Sequence, residues 1–227
     1  MLIAVSSRFS FVHFARPKFR KHGLKKLNKS DRRIEKRVRV EAVLNSFALV
    51  FVGEIGDKTQ LLALLLVARY RQPWMILLGV FIATILNHAL ASWFGVVCAA
   101  LLARFDPLVL RILLATTFFV FAGWMLIPDA EEEVRASSRF GVLLTTIVAF
   151  FLAEMGDKTQ LATVALAARY SNITLVTIGS TLGMMASNAI AVSLGEKVVL
   201  RVPLKWIHRF AALLFALFGV SILATKI

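Results

Sequence analysis

The string Glu54-Ile55-Gly56-Asp57-Lys58-Thr59-Gln60 recurs as Glu154-Met155-Gly156-Asp157-Lys158-Thr159-Gln160, at a constant offset of 100. The match continues through Ala68-Arg69-Tyr70 and Ala168-Arg169-Tyr170, so the chain is an internal duplication. Each copy stands inside a long apolar run, and 59% of the chain is hydrophobic, which points to a membrane protein. A buried ionisable residue costs roughly 2.5–3.5 kcal/mol on membrane-insertion scales, so four carboxylates need a cation, a proton or a basic partner.

The net charge of +14 is uneven. Residues 1–40 hold thirteen of the 27 Lys/Arg and only two acids, and the body is nearly neutral. This leader reads as a cytoplasmic basic arm beside anionic lipid, as an organellar transit peptide, or as residues preceding the true start near Val40. It is expected to be disordered or not native. Nothing patterned accompanies the charge, so no nucleic-acid partner is expected. The lone Cys98 admits no intrachain disulfide.

The fold expected is an all-α membrane protein with six transmembrane helices in two three-helix repeats. The spans run from about Glu41 to Ala68, Trp74 to Leu102, Pro107 to Ile127, Phe140 to Ala168, Ile173 to Leu194, and Leu204 to Ala224. Each is near or above the roughly 20 residues that cross a bilayer core. The first and fourth are long enough to tilt, or to break near Gly56 and Gly156. The first repeat covers residues 41–127 and the second 140–227, with an acidic linker over 128–139. Three is odd, so the second repeat enters from the opposite side. The copies are then inverted in topology, a plan that recurs in secondary transporters. The leader argues for a cytoplasmic N-terminus, although Lys197, Arg201 and Lys205 then face out, against the same rule.

On a continuous helix Glu54 and Asp57 lie three apart and are neighbours, as are Glu154 and Asp157. Paired carboxylates repel when both are ionised, and either a divalent cation or a proton relieves the repulsion. Competition of metal and proton for one buried site is what exchange requires. Hard oxygen ligands suit Ca²⁺, Mn²⁺ and Mg²⁺, of which Mg²⁺, shedding water reluctantly, suits a dry site least. Lys58 and Lys158 are placed to pair with Glu54 and Glu154 one turn earlier, or to snorkel. Gln60 and Gln160 are candidates to complete the shell or to bond a neighbouring helix. Thr59 and Thr159 are expected to point away from the acids. Gly56 and Gly156 allow close helix packing or a local break. In the second helix of each repeat, Asn87-His88 corresponds to Ser187-Asn188. These polar residues glue helices or line a pathway, and His88 is a candidate proton relay.

At these residues the chain resembles the Gdt-type family of Golgi and bacterial membrane proteins, over about Glu41 to the C-terminus. The resemblance implies exchange of manganese or calcium for protons, with Glu54, Asp57, Glu154 and Asp157 as the ion-binding acids. It implies no enzymatic activity and no cofactor beyond the transported Mn²⁺ or Ca²⁺ and protons. The partners expected are membrane lipids and the divalent cation. A multi-pass protein of a bacterial inner membrane is the expected setting. Two other readings compete. Export of a small organic cation, such as a basic amino acid, is compatible with the acids. An intramembrane aspartyl protease requires Gly-x-Gly-Asp, but Gly53 is one place too early and its counterpart is Ala153.

Overall fold

The computed structural model describes residues 29–102, 106–127, 141–195 and 204–224. Among the described residues there are eight helices and no strand. They are α1 (Lys29–Glu54), α2 (Lys58–Tyr70), α3 (Pro73–Leu102), α4 (Pro107–Trp124), α5 (Gly141–Glu154), α6 (Lys158–Tyr170), α7 (Ile173–Leu194) and α8 (Leu204–Ala224).

Local chemistry sets the helix ends. Asp106 caps α4 by accepting from the Leu108 N–H at 2.7 Å, with Pro107 at the first helical position. Asn172 caps α7 through the Leu175 N–H at 3.0 Å. α2 and α6 both stop at a left-handed residue, Arg71 and Ser171.

Four helices are long and apolar enough to cross a membrane: α3, α4, α7 and α8. Their outward faces carry large apolar side chains, including Leu86, Leu90, Trp93 and Phe94 on α3 and Leu213, Leu217 and Val220 on α8. A surface this apolar suits lipid rather than water. The first and fourth expected spans are each interrupted, at Gly56 and Gly156. Residues 29–40 are helical and run straight into the apolar half of α1, supported by the i,i+4 pairs Arg39–Glu35 and Arg37–Glu41. Residues 1–28, the linker at 128–139, Lys197 and Arg201 lie outside the described residues. Cys98 is half-buried in α3 as a free thiol.

Packing is mostly between the halves rather than within them. α1 lies along α7, while α5 and α6 lie along α3. Gly79 on α3 abuts Leu143 and Thr146 of α5, and Gly179 on α7 abuts Val43 and Ser46 of α1. Each of these residues differs from its counterpart by 100, so the halves exchange partners. The approach is close: a Cβ on Gly179 would lie 2.4 Å from the Val43 carbonyl oxygen. α4 and α8 pack on each other through Phe118, Phe121, Phe215 and Phe218, with Phe118 and Phe218 edge to face at 4.7 Å.

Candidate cation site

The repeated string builds a helix break, not a continuous turn. Gly56 and Gly156 take φ of +79° and +78°, a left-handed conformation that costs glycine nothing. The chain then resumes with Asp57 and Asp157 as the N-cap residues of α2 and α6. Three residues on, Gln60 reaches back to accept from the Gly56 N–H at 2.9 Å, and Gln160 accepts from the Gly156 N–H at 2.7 Å. This is the glutamine half of a capping box, reaching one residue further back. Glu54 and Glu154 end the preceding helices, so the glutamates stand at helix C-termini and the aspartates at N-termini. Each break is closed by a turn, with the Asp57 and Asp157 N–H groups donating to the Glu54 and Glu154 carbonyls at 3.2 Å, and sets the negative end of one helix dipole beside the positive end of the next.

The two breaks meet. Carboxylate oxygens of Glu54, Asp57 and Glu154 all lie within 4.8 Å of one another. All three residues are buried, at 0%, 6% and 1% exposure, so solvent does not screen them. At an effective dielectric of about 20, two ionised carboxylates at that separation repel by roughly 3–4 kcal/mol. Thr59 donates its hydroxyl to Glu54 Oε2 at 2.9 Å. Both oxygens of Glu154 are buried, and the Thr59 hydroxyl is the side-chain donor beside them. A buried oxygen pair of this kind is costly unless a cation or proton meets it. The fourth acid, Asp157, is turned differently. Its Oδ1 lies 3.5 Å from Lys58 Nζ, and its Oδ2 is near the Thr159 N–H and hydroxyl, each at 3.4 Å.

Several sequence expectations change here. Glu54 and Asp57 are not neighbours on one helix; the left-handed glycine between them ends α1 and starts α2. Lys58 pairs with Asp157 of the other half rather than back with Glu54, because the break redirects the first turn of α2. Lys158 does not return to Glu154 either. It is buried, donates to the Ile127 carbonyl at 2.8 Å and stands 5.9 Å from the Trp124 ring centre. Thr59 points at an acid, not away, since the break reverses its aspect.

The remaining polar residues surround the breaks. Gln60 Nε2 donates to the Ser187 carbonyl at 3.1 Å and also to its hydroxyl, which ties α2 to α7. Asn87 donates to the Phe151 carbonyl at 3.1 Å, one turn before Glu154, while Asn188 bonds back to Met184 on its own helix at 3.1 Å. His88 is fully buried, and neither ring nitrogen has a hydrogen-bond partner among the described residues. Sequence reasoning missed Trp124 and Ile127, whose distance in sequence from Lys158 gave no signal. It also passed over the Asp-x-x-Gln capping signature after a glycine, which was there to be read.

A family model described as "Divalent cation/proton antiporter GDT1" matches residues 42–133 and 142–227. A protein of Vibrio cholerae named "Putative manganese exporter" is 44% identical over 177 residues, covering 78% of this chain and 87% of its own. A GDT1-like protein of Synechocystis is 30% identical, over 79% of this chain and 95% of its own. GDT1-like protein 3 of Arabidopsis thaliana is 28% identical, over 80% and 70%. No solved structure matches.

Proposed function

Because the chain belongs to the GDT1 family of divalent cation/proton antiporters, we propose that it carries Mn²⁺ outward in exchange for protons, with Glu54, Asp57, Glu154 and Asp157 as the acids that take both. The single observation that carries this reading is the convergence of three buried carboxylates from two helix breaks within 4.8 Å. A divalent cation at their centre removes the mutual repulsion and meets oxygens that suit Mn²⁺ and Ca²⁺ alike. Protons do the same one carboxylate at a time, so each ligand displaces the other.

Mn²⁺ is preferred as cargo because of the name carried by the Vibrio cholerae relative. Ca²⁺ remains a second substrate of the same hard-oxygen set. Export of a small organic cation fits less well, since oxygens within 4.8 Å leave room for an ion rather than a side chain. The Thr59 and Gln60 side chains hold the ends of the break in place, and Ser187 anchors Gln60.

The architecture proposed is six crossings, in which α1 with α2 and α5 with α6 each count as one broken span. Broken helices whose ends meet at an ion site near the midplane are a recurring transporter device. The exchange of partners around Gly79 and Gly179 supports a two-fold relation between halves. Three crossings per half makes the halves inverted, in a bacterial inner membrane and surrounded by its lipids, with the N-terminus cytoplasmic.

The test is ion flux in proteoliposomes under an imposed pH gradient, with Mn²⁺, Ca²⁺ and lysine compared. Wild type is expected to move Mn²⁺ against the proton gradient, and Glu54→Gln to insert normally but move none. Equal Mn²⁺ flux in the two proteins would refute the assignment of the acids. Lysine flux without metal flux would replace the cargo.

A further inference from the structure

We propose that Lys58 is a tethered counter-cation that competes with the transported ion for Asp157, and so acts as a latch between the halves. The inference rests on the acid cluster being the transport site, and goes beyond it. Lys58 Nζ lies 3.5 Å from Asp157 Oδ1, so a positive charge of the first half sits on an acid of the second. Asp157 is 6% exposed, and Lys58 keeps about a quarter of its side chain accessible. The acid is therefore held inside while the amine has a route outward.

The duplicated lysines are not used alike. Lys158 is held at the Ile127 carbonyl and the Trp124 ring, both within the first half. The pseudo-equivalent amines are thus placed differently, and among the described residues it is the Lys58 amine that stands at ion-pair distance from an acid of the opposite break. Lys58 is also the first residue of α2, directly after the left-handed glycine and its capping aspartate. Its turn is joined to α7 by Gln60. Releasing Lys58 frees one of the ties that fix the start of α2 to the second half. A divalent cation that draws Asp157 toward Glu54, Asp57 and Glu154 must displace the amine, so loading and release of α2 are one event. Lys58 is a positioning residue in this scheme and never a ligand.

The test compares Mn²⁺ binding by calorimetry with exchange in proteoliposomes, for wild type, Lys58→Gln, Lys58→Arg and Lys158→Gln. Lys58→Gln is expected to bind Mn²⁺ roughly five- to tenfold more tightly, at the low end of coupling between sites because the amine is partly solvated, and to exchange it more slowly. Lys58→Arg should return toward wild type in both. Lys158→Gln should change affinity less, since it removes a nearby charge without removing the tether. Equal tightening in Lys58→Gln and Lys158→Gln would reduce the latch to a general field. Unchanged or weakened binding in Lys58→Gln overturns it while leaving the cation site standing. Failure of both Lys58→Gln and Lys58→Met to fold, with Lys58→Arg folded, would make the pair a permanent strut and also overturn the latch. Absence of Mn²⁺ binding in the wild type overturns the site and the latch together.

Discussion

Glu154 shows what the site demands of a single side chain. It is buried to 1% exposure, with carboxylate oxygens of Glu54 and Asp57 within 4.8 Å of its own. An arrangement like this costs stability, because buried like charges repel. Glu154→Gln keeps the shape and removes one charge. The metal-free variant is expected to be more stable than wild type by about 1 kcal/mol or more, because one repulsion is gone. Its stabilisation by Mn²⁺ should fall away. Thermal unfolding in detergent, with and without Mn²⁺, checks both halves of this claim. A variant less stable without metal and still stabilised by Mn²⁺ would mean that Glu154 is a packing residue. The acids stood out in the sequence because carboxylates in an apolar run need a reason. Their partners did not. Lys58 meets Asp157 across 99 residues of chain, and nothing in either local sequence encodes that distance.

At the scale of the element, the helix break decides where every site residue points. Gln60 secures its break with bonds to Gly56 and to Ser187, whereas Gln160 is half-buried and bonds Gly156. Gln60→Ala should therefore cost about 1–2 kcal/mol, the scale of losing buried hydrogen bonds, and more than Gln160→Ala. Chemical or thermal unfolding of the two variants side by side measures the difference, and equal losses would show the Ser187 tie to be idle. Close helix contact makes a second prediction. A Cβ on Gly95 would fall 2.1 Å from the Val164 carbonyl oxygen, so Gly95→Ala must push α3 from α6. The expected cost is about 1–3 kcal/mol, as for an overpacked core, read as a lower unfolding midpoint and reduced yield of folded protein. Wild-type stability in Gly95→Ala would show that the two helices are not so closely apposed. Helix positions were largely readable, since apolar length and caps at Asp106-Pro107 and Asn172 are local signals. The break was open between tilt and interruption. Apolar periodicity is blind to a single left-handed residue, and only the glycine followed by Asp-x-x-Gln marks it.

The whole molecule joins two copies of one unit by letting each pack on the other. Gly79 meets Leu143 and Thr146 where Gly179 meets Val43 and Ser46, so contact across the halves is reciprocal. Reciprocity by itself does not fix how each half sits in a bilayer; the number of crossings does. In the proposed plan, with α1–α2 and α5–α6 each crossing once, a half crosses three times and equivalent turns would emerge on opposite faces. The turn at Arg71-Gln72 and the turn at Ser171-Asn172 are equivalent by the repeat and would be such a pair; Gln72 and Ser171 are exposed. Single cysteines at Gln72 and Ser171, in a chain with Cys98→Ala, should label asymmetrically with a membrane-impermeant maleimide. With the N-terminus cytoplasmic, Gln72→Cys should react in intact cells and Ser171→Cys only after the membrane is opened. The opposite pattern would reverse the orientation and keep the inversion. Labelling of both from one side would require an even number of crossings per half. The two breaks would then face the same compartment, and a site reached alternately from both sides would lose its structural basis.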